Sequence, residues 1–133
     1  LATVKRKRQD KEPDEETETL YRKVRLLAGF AAEKKAVDIR AYDIRGLSLV
    51  ADALVLCTAT SEPQVKAVFH AVESGMEKEG ISPLRTEGSF SGGWLLMDYG
   101  TVIFHLFREQ ARKYYDLDGF WGDAKEIPLE ANP

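Results

Sequence analysis

The chain has 133 residues, 44% of them hydrophobic and 31% charged, which is enough for one domain with a buried core and gives no reason to invoke a second. A formal net charge of −3 speaks against a general nucleic-acid binder, which would carry a basic stripe, so no direct nucleic-acid binding is expected. The single cysteine, Cys57, cannot form an internal disulfide, no apolar stretch is long enough to span a bilayer, and no signal-peptide pattern is present; the expected location is cytoplasmic, away from membranes.

Residues 1–17 open with the basic cluster Lys5, Arg6, Lys7 and Arg8 and pass into an acidic run over residues 10–16. With little apolar content this segment cannot offset its own ordering entropy, and it reads as a disordered tail. The domain is expected over residues 18–127, with a short C-terminal tail at 128–133.

Over residues 18–35, Leu20, Val24, Leu27, Ala28 and Ala31 recur at helical spacing, and Lys34 and Lys35 suit the negative end of the helix dipole. Residues 37–43 alternate with period two, a strand with Val37, Ile39 and Ala41 facing in. The run 53–59 is apolar throughout and reads as a central strand covered on both faces, with Cys57 a buried thiol. Ser61 can cap the next helix, Pro63 suits its first turn, and Gln64 completes a capping box. That helix buries Val65, Val68, Phe69, Val72 and Met76, leaves His70 on its polar face, and stops at Gly80.

Residues 83–87 form a weaker strand and 88–93 a flexible Ser/Gly loop. Two apolar, β-prone runs at 94–97 and 102–107 then read as a hairpin. A two-residue Tyr99-Gly100 loop places Trp94 opposite His105, on one face with Leu96 and Ile103; a three-residue loop ending at Gly100 separates them. The shared face is favoured. Residues 108–115 form a short helix and 116–121 a turn or short helix bearing aromatics. The fold class is α/β, a mixed sheet of about five strands flanked by helices.

One enzyme class uses such a sheet with a Gly-Ser followed by two carboxylates on one strand face, which hold Mg²⁺ for nucleotidyl transfer. The nearest equivalent here is Gly46-Leu47-Ser48 followed by Asp52-Ala53-Leu54, where Leu54 stands in place of the second carboxylate and only Asp43 could assist Asp52. Asp98 and His105 could pair across the hairpin as a general base, but no nucleophile stands beside them. No HExxH, CxxC or GxSxG pattern occurs, and no catalytic residue, metal or cofactor is assigned. What remains is the aromatic and acidic character of residues 88–121, a composition suited to protein-interface anchors.

Residues 38–45, the run 51–61 with Gln64 and Val65, Glu87-Gly88, residues 94–100, His105-Leu106-Phe107, Arg112, Tyr115-Asp116-Leu117 and Trp121 together resemble the ribosomal silencing factor family (RsfS, or Iojap), in order and spacing, from about Leu20 to Trp121. The resemblance implies a nucleotidyltransferase-like α/β fold without its catalytic carboxylates and a non-enzymatic role. In that role the chain would bind the large ribosomal subunit through its fourteenth ribosomal protein, block joining of the small subunit, and repress translation when nutrients are scarce. Carried over by position, the contact surface is Trp94, Leu96, Asp98, Tyr99, His105 and Phe107. Thr101 stands where the family often has an acidic residue, and Ala59 where it usually has glycine. A homodimeric interaction module and a nucleotidyltransferase-type enzyme are the competing readings.

Overall fold

The computed structural model describes residues 14–129. Helix α1 (Glu15–Glu33) starts inside the acidic run that the sequence assigns to the tail. Asp14 caps it by accepting from the Thr17 amide at 2.8 Å, and Glu15, Glu16 and Glu18 lie at the positive end of its dipole. The basic cluster at residues 5–8 lies outside the described residues. The buried stripe of α1 is the expected Leu20, Val24, Leu27, Ala28 and Ala31.

Strand β1 (Val37–Asp43) departs from simple alternation. A bulge between Val37 and Arg40 puts Asp38 in the left-handed region at φ 51°, and Val37 ends up exposed rather than facing in. Strand β2 (Ala53–Ala59) is buried at every position, as its unbroken apolar run requires. Helix α2 (Glu62–Lys78) is capped by Ser61, whose hydroxyl accepts from the Gln64 amide. The Gln64 side chain accepts from the Thr60 amide, one residue before the cap, and donates to the carbonyls of Lys34 and Lys35, so it ties the end of α1 to the start of α2.

Strands β3 (Arg85–Gly88), β4 (Trp94–Asp98) and β5 (Val102–Arg108) follow, then helices α3 (Glu109–Tyr115) and α4 (Leu117–Phe120) and strand β6 (Lys125–Glu126). The sheet order is β3-β4-β5-β2-β1-β6, with β2 and β5 parallel and the other pairs antiparallel. The sheet thus has one strand more than expected, because β6, two residues long, is too short to carry a periodic signal.

The expected shared face of the hairpin is present, but its register lies two residues further on. Trp94 pairs with Phe107, Leu96 with His105 and Asp98 with Ile103, and the turn is Gly100-Thr101. Tyr99 continues the ladder by donating to the Val102 carbonyl, while Asp98 accepts from the Gly100 amide at 2.8 Å, with Gly100 at φ 86°. A slip of two keeps every side chain on its face, which is why face and register come apart here.

Alternate residues of the central strands build two cores. Val55, Cys57, Leu95, Met97, Phe104 and Leu106 pack beneath α1 and α2; Leu54, Leu56, Ile103 and Phe107 pack on the other side with Tyr42, Ile44, Trp94, Leu117 and Trp121. Each large side chain fully buried here, Phe104 or Leu27 for instance, contributes about 1.5–3 kcal/mol. The two faces are unequally covered: two long helices shield one, and only the short α3–α4 corner shields the other.

Candidate partner-binding site

The corner that half-covers the second face is fixed by Arg112, a guanidinium almost wholly buried. It donates to both carboxylate oxygens of Asp118, at 2.9 and 3.2 Å, to the Asp38 carbonyl at 2.7 Å and to the Thr58 hydroxyl at 2.9 Å. The left-handed backbone at Asp38 is therefore part of the same lock. Burial works against the ionised form of Asp118, but the hydrogen bonds from Arg112 and Tyr42 outweigh it and hold the carboxyl below its ordinary range. Asp116, at φ 48°, turns the chain from α3 into α4 and accepts from the Gly119 amide. The result is that Leu117, Phe120 and Trp121 are held over the sheet.

Between this corner and the loop of residues 44–52 lies an open trough of about 340 Å³. Its lining is Ile44, Ser48, Val50, Ala51, Leu54, Trp94, Ile103, His105, Leu117, Phe120 and Trp121. Phe120 is 73% exposed and Val50 72%, and Leu49 beside them is fully exposed, so the rim as well as the floor is apolar.

Trp94 and His105 form the polar centre of the floor. The indole Nε1–H donates to His105 Nδ1 at 3.0 Å, and Trp94 also stacks on Phe107 and leans on Tyr115, with ring centroids 5.1 and 4.4 Å apart. His105 is 5% exposed, and burial pulls its pKa down from 6.5 to about 4, so the imidazole is neutral.

Of the residues expected at the contact surface, the structure brings Trp94, Leu96, His105 and Phe107 together on this face. Phe107 is fully buried beneath Trp94, and Leu96 is partly buried beside His105. Asp98 lies further along β4, where it accepts from Arg85 Nε at 3.1 Å. Tyr99 belongs to the opposite core, under the helices, away from the others. The trough also uses residues the sequence reading left unassigned to a site: Ile44, Val50, Ala51, Leu54, Leu117 and Phe120. The available signals were the apolar Leu47, Leu49 and Val50 within a loop, and Leu54 at a position where an enzyme would need a carboxylate.

The donor set does not fit metal-dependent nucleotidyl transfer. Leu54 points into the trough, and the Asp43 carboxylate is engaged by the Tyr21 hydroxyl at 2.9 Å and by Arg45 at 2.7 and 3.0 Å. Among the described residues no group of three or more His, Cys, Asp or Glu is placed to hold a metal ion. A general-base pair of Asp98 and His105 is not assembled either, since His105 Nδ1 accepts from Trp94 and Asp98 is bonded to Arg85 and Gly100. A larger cleft, about 920 Å³, runs along α1 between Glu15, Arg22, Arg25, Lys125 and Pro128 and is an open surface with charged side chains along it. Among the described residues no helix is long and apolar enough to cross a membrane.

Residues 16–133 match the family described as ribosomal silencing factor during starvation. The chain is 36% identical to the ribosomal silencing factor RsfS of Halalkalibacterium halodurans and 37% identical to that of Bacillus subtilis, each over 80% of this chain and about nine-tenths of the relative (92% and 91%). It is 34% identical to the chloroplastic protein Iojap of Zea mays over 89% of this chain and 51% of that protein. A crystal structure of a Chromobacterium violaceum protein superposes with a TM-score of 0.70 at 30% identity, covering 81% of this chain and 88% of that one. One from Bacillus halodurans gives 0.68 at 33% identity, over 78% of this chain and 94% of that one. With a mixed sheet, an apolar trough in place of a metal site, and this degree of likeness along nearly its whole described length, the chain belongs to the ribosomal silencing factor family.

Proposed function

We propose that this chain represses translation by binding a basic protein of the large ribosomal subunit, the fourteenth, and sterically blocking joining of the small subunit. The observation that carries the reading is the apolar trough and its exposed rim: a soluble-type domain leaves such a patch uncovered where a partner covers it. Trp94, Phe120 and Trp121 are the aromatic anchors, the residue types that dominate interface energetics. The net charge of −3 favours encounter with a basic partner. Occlusion needs affinity and bulk, so the role is non-enzymatic, and a cytoplasmic location goes with it.

The test is co-sedimentation of the chain with separated large and small subunits, followed by a subunit-joining assay. Wild-type protein is expected on the large subunit, with joining inhibited. Phe120→Asp and Val50→Asp change exposed side chains and leave the cores alone, so both variants should fold; each should bind about ten-fold more weakly or worse. Equal binding by both folded variants would remove the trough from the contact. Self-association of the wild type, abolished by the same substitutions and unaccompanied by ribosome binding, would instead assign the trough to a homodimer.

A further inference from the structure

The Trp94–His105 pair at the polar centre of the trough floor has an unused valence. His105 sits at the middle of the sheet, its backbone paired with Leu56 on one side and Leu96 on the other, so its ring position is fixed by two strands. Because Nδ1 accepts from the Trp94 indole, the proton of the neutral ring is on Nε2. Among the described residues Nε2 has no hydrogen-bond partner. Among the described residues the enclosed side-chain polar atom without a partner is the Tyr99 hydroxyl, so Nε2 is not sealed in the core. His105 lines the trough and is 5% exposed, so Nε2–H has a narrow opening there.

We propose that His105 is a specificity-determining residue of this surface: its Nε2–H receives a main-chain carbonyl oxygen of the apolar segment that docks in the trough. The inference rests on the reading of the trough as the ribosomal contact. The surroundings select the acceptor. Trp94 and Phe107 lie against the ring, Leu54 and Ile103 share the trough lining with it, and the Ser48 hydroxyl of that lining already accepts from the Val50 amide at 3.0 Å. A carboxylate would be stripped of water among these side chains, and a cationic head would meet a donor rather than an acceptor. A neutral carbonyl between apolar side chains satisfies both the apolar wall and the Nε2–H. A segment of the same shape that presents no oxygen there would bury an unpaired donor and be rejected.

Three substitutions separate this role from simple support of Trp94. His105→Gln keeps an N–H near the Nε2 position and loses the Nδ1 acceptor. His105→Asn keeps an acceptor near Nδ1 and loses the donor, and His105→Phe loses both. Binding is measured to separated large subunits and to the purified fourteenth large-subunit protein. The expected order is wild type and Gln within a few-fold of each other, with Asn and Phe about ten-fold weaker or more. Asn binding like wild type while Gln is weak would overturn the proposal, because His105 would then act only by holding Trp94. Phe binding like wild type would overturn it as well. If a variant does not fold, the ¹⁵N-labelled wild type decides: the Nε2 proton should move downfield and exchange more slowly in the complex with that protein, and an unchanged signal overturns the proposal. Absence of wild-type binding to the large subunit would overturn the proposed function and this inference with it, whereas wild-type binding with an unaffected Asn variant overturns the inference alone.

Discussion

Mild acid should loosen this fold through His105. The unfolded chain takes up a proton on that ring near pH 6.5, whereas the folded chain resists until about pH 4, because burial disfavours the charged ring. A proton on Nδ1 would also turn two donors, the imidazole and the Trp94 indole, toward each other. Between those values the unfolded state binds more protons, so the contribution is complete above pH 6.5 and is lost as pH falls towards about 4. The slope is about 1.4 kcal/mol per pH unit, or about 3 kcal/mol across the window, a large part of the stability of a domain this size. Urea unfolding followed by tryptophan fluorescence from about pH 7 to about pH 4.5 measures it. The carboxylates of Asp43 and Asp118, held below their ordinary range, respond at more acid pH and leave the window clear. In His105→Phe the protein should be less stable at neutral pH, because the indole N–H loses its acceptor, yet lack the slope. Parallel profiles for the two proteins would refute the assignment of a buried neutral imidazole.

Arg112→Ala should cost about 3–5 kcal/mol in chemical denaturation, since it strips Asp118 of its cationic partner, leaving it only the Tyr42 hydroxyl, and leaves the Asp38 carbonyl without its donor, and it should release the α3–α4 corner to proteolysis. Gly88→Ala should lower the melting temperature: Gly88 lies at φ 98°, and an added Cβ would run into the Trp94 carbonyl oxygen, for a combined strain of about 1–3 kcal/mol. Tyr99→Phe should be neutral or raise stability by up to about 1 kcal/mol, because the hydroxyl it removes is enclosed and unpaired. A clear destabilisation by that last change would reveal a hydrogen bond to the Tyr99 hydroxyl.

Features set by local periodicity were legible in the sequence. The stripe of α1, the continuous run of β2 and the Ser61 cap of α2 each depend on residues close together in the chain. What the sequence hid depends on contacts between distant residues. The bulge in β1 is stabilised by Arg112, far along the chain, so the alternation of residues 37–43 could not reveal that Val37 faces out. The hairpin register turns on whether Tyr99 joins the ladder or the turn, and it joins the ladder because its side chain is taken into the helix-side core. The site was half legible for a similar reason. Trp94 and His105 stand out by residue type, but Ile44, Ala51 and Leu54 look like ordinary core until the topology shows that only a short corner covers their face.

The parallel pairing of β2 with β5 has a consequence for how the chain is made. Ala53 lies against Val102 and Ala59 against Arg108, and everything between them in sequence must be synthesised before that edge can close. During translation a strand buried at every position in the finished molecule emerges well before its parallel partner and waits with one edge unpaired, while α1, β1 and then α2 are the elements made to shield it. Such long-range closure slows folding and exposes an aggregation-prone segment in the interval. The nascent chain is thus at its most vulnerable between the appearance of residue 59 and that of residue 108.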